Sequence, residues 1–213
     1  MRALHWTLLG LLVLATPAAG DDRRVRTLRG DVATSGVQRL DLRLAPGEIQ
    51  VEPSTDGRLR VELDVFCSFE SDDCEERAER LELRSSVEGN TLRVEVEGMP
   101  MVNARGLNLR GRVFVPRQKP IDIDFPAGEL TVQGVQGDLG VDAGAGEVTI
   151  RLREHDVRSV RLGVGIGEAS LSVAGRSIEG SGWLGHKVRW GEGTGPARVS
   201  VNLGVGEVAV RLE

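Results

Sequence analysis

Residues 139–152 have the sequence LGVDAGAGEVTIRL, and the centre of this stretch, Gly146-Glu147-Val148, decides the fold. The same order of glycine, glutamate and an apolar residue recurs from Gly128, Gly167 and Gly206. Apolar residues alternate with small or polar residues on both sides of each centre, and the alternation changes phase at the glycine. Alternation with a period of two is typical of a strand with one buried face. Each copy therefore predicts two strands that meet at a corner.

The spacing of the copies predicts how the strands are arranged. The corner glycines are separated by 18 residues (128 to 146), 21 residues (146 to 167) and 39 residues (167 to 206), the last close to two further copies. A period of about 20 residues is typical of stacked supersecondary units. An earlier copy lies at Gly47-Glu48. The prediction is an all-β fold: a β-solenoid, or β-helix-like stack, of coils of about 20 residues with one short helical insertion.

Composition agrees with many short strands and excludes one class of partner. The chain has 28 glycines, 3% aromatic residues and a net charge of −5. Glycine at corners and few large aromatics fit an all-β chain with tight turns. A nucleic-acid-binding surface needs a basic patch with aromatic side chains on which bases stack. We therefore expect no nucleic-acid partner.

The first 20 residues have the pattern of a secretory signal. Arg2 precedes an apolar stretch over residues 4–15, and small residues over 18–20 offer a cleavage site. The apolar stretch is shorter than the about 20 residues of a membrane span. We expect an exported protein, periplasmic or extracellular, with no membrane span in the mature chain; a retained signal anchor is the alternative.

The mature chain is predicted to hold one domain. Residues 21–36 contain four arginines and are expected to form a solvated N-terminal tail, with attraction to acidic membranes or glycans as the alternative. Residues 37–213 are expected to form the single domain. The pattern is interrupted by an insertion around residues 67–80, which contains the helical segment, and by a less regular loop over 98–112.

Cys67 and Cys74 are the two cysteines of the chain. In an exported protein, two cysteines seven positions apart predict a disulfide. A zinc site needs two further ligands, and neither His155 nor His186 lies at a recognisable spacing. We expect no metal and no cofactor.

Two sets of carboxylates leave a cation site open as the less favoured alternative. The acidic run over residues 70–76 lacks the glycine-centred loop of calcium motifs, so a hydrated loop is favoured. The repeated Glu147, Glu168 and Glu207 predict a ladder of like charges on neighbouring strands. Either this ladder binds cations, or each glutamate points into solvent beside an arginine. The second interpretation is favoured, with these arginines as neighbours: Arg151, Arg153, Arg161 and Arg211.

The sequence shows no set of residues in the pattern of a known catalytic site. The glycines over 163–167 do not precede a helix, as a phosphate-binding loop would. Ser181, His186 and Glu192 lack the pattern of a hydrolase triad. We therefore predict a protein that is not an enzyme; the alternative is a carbohydrate-active enzyme with paired carboxylates on a β-helix face.

Two tryptophans in a glycine-rich segment are the best candidates for contact with a partner. Trp190 follows Val188 at the spacing of the inward residues in the other copies, which favours a place in the core. Trp183 is therefore the candidate partner contact.

The chain resembles the bacterial envelope proteins grouped as a putative adhesin domain. The resemblance rests on residues 113–117 (VFVPR), 128–132 (GELTV), 137–139 (GDL) and 144–150 (GAGEVTI). It implies an exported structural or interaction module of the cell envelope that binds an envelope protein or a glycan. The C-terminal coils are also similar to an envelope stress-response module, which gives a regulatory partner as another alternative. Because residues 208–213 look like an uncapped terminal strand, head-to-tail self-association is also predicted.

Overall fold

A computed structural model describes residues 22–68, 73–99, 106–180 and 185–213. This part of the chain contains thirteen strands, one short helix and a 3₁₀ turn at Glu154–Asp156. The strands and the helix, in chain order, are β1 (Arg23–Val32), β2 (Arg39–Arg43), β3 (Gly47–Pro53), β4 (Leu59–Cys67), α1 (Cys74–Glu79), β5 (Glu82–Glu88), β6 (Thr91–Glu97), β7 (Leu107–Val115), β8 (Ile121–Gln133), β9 (Leu139–Leu152), β10 (Val157–Val173), β11 (Arg176–Glu179), β12 (His186–Trp190) and β13 (Ala197–Leu212).

The four long strands β8, β9, β10 and β13 run parallel and bend at their glycine-glutamate corners. Gly128 pairs with Gly146, Gly146 with Gly206, and Gly206 with Gly167. Each of these glycines has a φ between 118° and 134°. A Cβ atom on Gly146 would lie 1.9 Å from the carbonyl oxygen of Gly128. The corners therefore require glycine both for backbone conformation and for close approach of neighbouring strands.

The repeats lie in register, but their order in the sheet departs from their order in the chain. The central part of the sheet is β3-β8-β9-β13-β10, so β13 lies between β9 and β10. The predicted all-β class is confirmed, as is the short helix. A solenoid with coils stacked in chain order is not shown, because the last repeat occupies the position that chain order gives to β10.

The bend divides the sheet into two layers around one core. Layer A contains the first halves of the four long strands together with β2, β5, β6 and β12; layer B contains the second halves with β1, β3, β4, β7 and β11. Side chains from both layers form a single buried cluster, in which Phe125 is the largest fully buried residue. The inward positions of the repeats supply most of this cluster, and their burial is the main stabilising term.

Two segments differ from the sequence-based expectations. The expected tail over 21–36 contains β1, which pairs antiparallel with β4 from Arg23 to Val32. The charges that suggested a tail belong to an edge strand, where charged residues prevent pairing with other chains. The expected loop over 98–112 contains the start of β7, because Leu107 and Leu109 point into the core.

The C-terminal strand is not an edge. The second half of β13 pairs with β9 on one side and with β10 on the other. The predicted head-to-tail association required an open strand over residues 208–213. The pairing of β13 on both sides removes that basis. The outer strands of layer B are the arginine-rich β1 and the four-residue β11.

The insertion is fixed to the sheet by covalent and polar contacts. Cys67 at the end of β4 and Cys74 at the start of α1 form a disulfide, as predicted. The Arg26 guanidinium on β1 donates to the carbonyl oxygens of Ala78 and Glu79, at 3.1 and 2.6 Å. In the part of the chain that the structure describes, no helix is long and apolar enough to cross a membrane.

Candidate interaction surfaces

An exposed apolar ridge follows the bend of the sheet. Ala127, Ala145, Val205 and Ile166 lie in register on β8, β9, β13 and β10. Val205 is 49% exposed and Ile166 is 60% exposed. We name these four residues the corner ridge. The sequence predicted inward positions for them, but alternation is interrupted before each corner glycine, so the residue preceding that glycine points outward.

A row of carboxylates runs beside the corner ridge. Its members, one per strand, are Glu48, Glu129, Glu147, Glu207 and Glu168, and all are exposed. Neighbouring parallel strands lie about 4.8 Å apart, so the row places like charges side by side. We call it the glutamate row.

The glutamate row has few polar partners. Glu48 forms an ion pair with Arg110 at 3.0 Å, and the Thr149 hydroxyl donates to Glu147 at 3.3 Å. Arg153, expected as a neighbour, pairs instead with Asp156. Within the described ranges, Glu48 is the one member of the row with an ion pair, and no group of acidic, histidine or cysteine side chains has the arrangement of a metal site. Apart from Glu48, the members of the row therefore carry negative charge that no ion pair among the described residues compensates.

The described part of the acidic run over 70–76 is held by arginines. Glu75 pairs with Arg23, and Glu76 pairs with Arg80 at 2.7 Å. The first contact attaches α1 to β1, and the second lies within the helical segment. Both contacts therefore stabilise the insertion. Residues 69–72 lie outside the described residues.

Of the residues considered for catalysis or metal binding, the structure describes His186, Glu192 and His155. His186 is half-buried on β12, Glu192 is exposed in the following loop, and Ser181 lies outside the described residues. His155 lies 3.7 Å from its neighbour Asp156.

Among the described residues, Asp56 and Asp64 are carboxyl groups with shifted pKa values, and both shifts are downward. The Thr27 hydroxyl, which donates at 2.6 Å, lowers the pKa of Asp64 below its usual range, and Arg24 adds to the effect. The backbone N–H of Arg58 lowers the pKa of Asp56. A lowered pKa keeps a carboxyl ionised, which is the opposite of what a general acid needs.

The structure describes one of the two tryptophans considered as partner contacts. Trp190 is half-buried and packs against the core beside the buried Val188, as the spacing suggested. Trp183 lies outside the described residues, and its role as a partner contact stays a prediction.

Two open hollows lie where turns join the layers, opposite the corner ridge. They have volumes of about 590 and 530 Å³ and share Gln118 and Pro120 in their linings. The buried Ser54 hydroxyl has no hydrogen-bond partner among the described residues and lines the larger hollow. Sequence patterns did not indicate these hollows, because residues from six separate segments of the chain line them.

Comparison with solved structures supports the fold class. The chain matches a structure described as a putative cell adhesion protein from Clostridium sporogenes with a TM-score of 0.54 and 15% identity, covering 88% of this chain and 99% of that one. A putative adhesin from Bacteroides fragilis matches with a TM-score of 0.23 and 14% identity, covering 87% and 97%. The first similarity shows a shared fold. Searches of protein-family models and of curated proteins found no match.

Proposed function

We propose that this protein is an exported, non-enzymatic, adhesin-like module of the bacterial cell envelope that binds an envelope protein or a glycan. The observation that carries the proposal is the corner ridge. Its larger members, Val205 and Ile166, are exposed side by side on neighbouring strands. Exposed apolar groups in contact with one another, bordered by charge, are typical of interaction sites.

The surroundings of the corner ridge support a role in binding. The glutamate row provides a polar rim next to the apolar residues, as in protein interfaces with an apolar centre. The corner glycines fix the ridge on rigid strands, which lowers the entropy cost of binding. Contacts with a partner would replace water along several strands at once.

Three further observations support the export and adhesin-like parts of the proposal. The disulfide between Cys67 and Cys74 suits an oxidising compartment. Residues 1–20 carry the signal-like pattern described above, and the fold is shared with a protein described as a putative cell adhesion protein. Fractionation of cells producing the chain, with detection in periplasm and medium, tests export and separates the two destinations.

The binding test compares the exposed pair of the corner ridge with one exposed position elsewhere. The purified chain is screened against an envelope extract and a glycan array, and the double variant Val205→Ser/Ile166→Ser is expected to lose the captured partner. Val87→Ser is the matched control, because Val87 is 61% exposed on β5, away from the corner ridge. Unchanged capture by the ridge variant would overturn the proposed contact surface.

A separate arm of the screen tests the remaining predictions. Trp183→Ala reports whether that residue contributes to glycan or protein capture. Co-purification of a sensor kinase would favour the regulatory alternative. Turnover of an envelope polysaccharide, lost on replacement of a single carboxylate, would contradict the non-enzymatic assignment.

A further inference from the structure

A hollow of about 190 Å³ lies on the outer face of layer A, where β10 is flanked by β12 and β13. Gly163 on β10 forms its floor. Its polar lining comes from three strands and comprises Arg161, Lys187, Arg189, Ser200 and Asn202. We call this site the cationic hollow.

The cations of the hollow are placed close together by strand pairing. Arg161 lies directly opposite Arg189, and Lys187 lies opposite Gly163. Directly opposite residues in an antiparallel pair have Cβ atoms about 5 Å apart, and like charges there are destabilising. None of the three cations has an ion pair or a side-chain hydrogen bond within the described ranges. The hollow therefore concentrates positive charge that the fold does not neutralise.

The acidic side chain in register with the hollow on β9 already has a hydrogen-bond partner. Asp142 on β9 accepts a hydrogen bond from the Asn202 amide nitrogen at 2.8 Å. Asn202 lies between Asp142 and the hollow, because it pairs with Asp142 on one side and with Gly163 on the other. Asn202 therefore separates the hollow from the Asp142 carboxylate on this side.

Gly163 provides an independent argument. Three other glycines on this face, Gly144, Gly165 and Gly204, are required by packing, since a Cβ on any of them would lie 2.4 to 2.6 Å from a backbone carbonyl oxygen. A Cβ on Gly163 would meet its nearest atom, Asn202 Oδ1, at 3.5 Å, an ordinary contact. Its φ also lies outside the left-handed region.

The fold therefore does not explain the glycine at position 163. Glycine inside a strand weakens the strand, and it often marks a place where a ligand approaches the backbone closely. Gly163 keeps the floor between the three cations open.

We propose that the cationic hollow binds a sulfate or phosphate group of an anionic partner. Guanidinium groups donate hydrogen bonds to such oxyanions in pairs, and lysine adds a point charge. A doubly charged oxyanion matches three cations better than a single carboxylate does. The inference deepens the proposed function by naming the chemistry of the partner, yet the hollow is tested with simple anions and without any envelope partner.

The test is calorimetric titration of the full chain with sodium sulfate and sodium phosphate at constant ionic strength, with sodium acetate for comparison. Saturable binding of sulfate or phosphate with a Kd in about the millimolar range is expected, with weaker binding of acetate. Dextran sulfate against uncharged dextran, and polyphosphate against phosphate, distinguish a free ion from a group carried on a chain. Absence of saturable sulfate or phosphate binding would overturn the inference.

Three variants locate the site. Arg189→Gln is expected to weaken binding about fivefold to tenfold through loss of a charged hydrogen-bond donor. Gly163→Leu is expected to abolish binding with all charges retained, because its side chain occupies the floor. Arg211→Gln is the matched control: Arg211 also lies opposite an arginine, Arg151, but on layer B and away from the hollow.

The Arg211 and Gly163 variants decide whether binding takes place in the hollow. Equal loss in Arg211→Gln would show general electrostatic attraction and would overturn the site, as would full binding by Gly163→Leu. Circular dichroism and thermal unfolding of each variant confirm that the fold is retained. Failure of envelope capture with intact sulfate binding would reject the proposed adhesin-like role alone.

Discussion

The C-terminal stack and the N-terminal part of the sheet bury similar apolar residues but are held together differently. In the stack, formed by β8, β9, β10 and β13, the same corner repeats in register across four parallel strands. In the N-terminal part, β1, β4 and β7 pair antiparallel, and a disulfide attaches the insertion. Close backbone approach at glycine occurs in both regions, since a Cβ on Gly111 of β7 would lie 2.0 Å from the Glu62 carbonyl oxygen of β4. In the stack this approach repeats at every corner, whereas the N-terminal part adds a covalent contact.

Substitution at a corner glycine should have the largest effect. Gly146→Ala places a Cβ 1.9 Å from the Gly128 carbonyl oxygen and forces alanine into a left-handed conformation. We expect a loss of about 4 kcal/mol or more in the free energy of unfolding, measured by urea denaturation. Gly163→Ala, in the same stack, should stabilise by up to about 1 kcal/mol, because the added methyl fits and removes chain entropy. Equal effects of the two substitutions would contradict the assigned roles of these glycines.

Removal of the disulfide should destabilise the N-terminal part. Cys67→Ala/Cys74→Ala opens a short loop, and the loop-entropy model predicts a loss of about 2–3 kcal/mol. Hydrogen exchange should show reduced protection in β4 and α1, with protection in β9 and β13 largely kept. An equal loss of protection across the stack would show that the two regions unfold as one unit.

Charge substitutions in the glutamate row should change the free energy of unfolding in opposite directions in the two regions. Glu147→Gln removes one like charge from the stack and should raise the free energy of unfolding by about 0.2–1 kcal/mol. Glu48→Gln removes the ion pair with Arg110, an exposed contact, and should cost at most about 1 kcal/mol. The measurement is denaturation at low and high salt, where salt should reduce both differences. A destabilising Glu147→Gln would show that the row is compensated.

The smallest expected effect is a change in how the stability of the N-terminal part depends on pH. Because the pKa of Asp64 is lowered in the folded chain, its stabilising contribution is present above the unfolded pKa of about 3.9 and is lost as pH falls through the folded value. Thr27→Val removes the main cause of that shift. The variant should show a smaller loss of stability between neutral and acidic pH than the unmodified chain. An unchanged pH dependence would contradict the role of Thr27.

The repeated corners made part of the fold predictable from sequence. Glycine followed by glutamate and an apolar residue indicated the bend, the core positions and the glutamate row, because these features depend on local pattern. The disulfide followed from the spacing of Cys67 and Cys74 in a chain expected to be exported.

Other features depend on contacts that sequence does not record. A period gives the length of a repeat, but it does not say which repeat is its neighbour, so the place of β13 between β9 and β10 was not predicted. The exposure of Val205 and Ile166 depends on the conformation of the glycine that follows each. The cationic hollow brings together residues from three strands, and only their pairing makes Arg161 and Arg189 neighbours.

Disulfide trapping tests the order of the strands most directly. In the structure Ala145 pairs with Val205, whereas Ile166 lies one strand further away. Neighbouring strands are about 4.8 Å apart, within reach of a disulfide, and two strand spacings exceed the limit of about 7 Å. Ala145→Cys/Val205→Cys should therefore form a cross-link under mild oxidation, and Ala145→Cys/Ile166→Cys should not. The reverse result would place the repeats in chain order and contradict the stack described here.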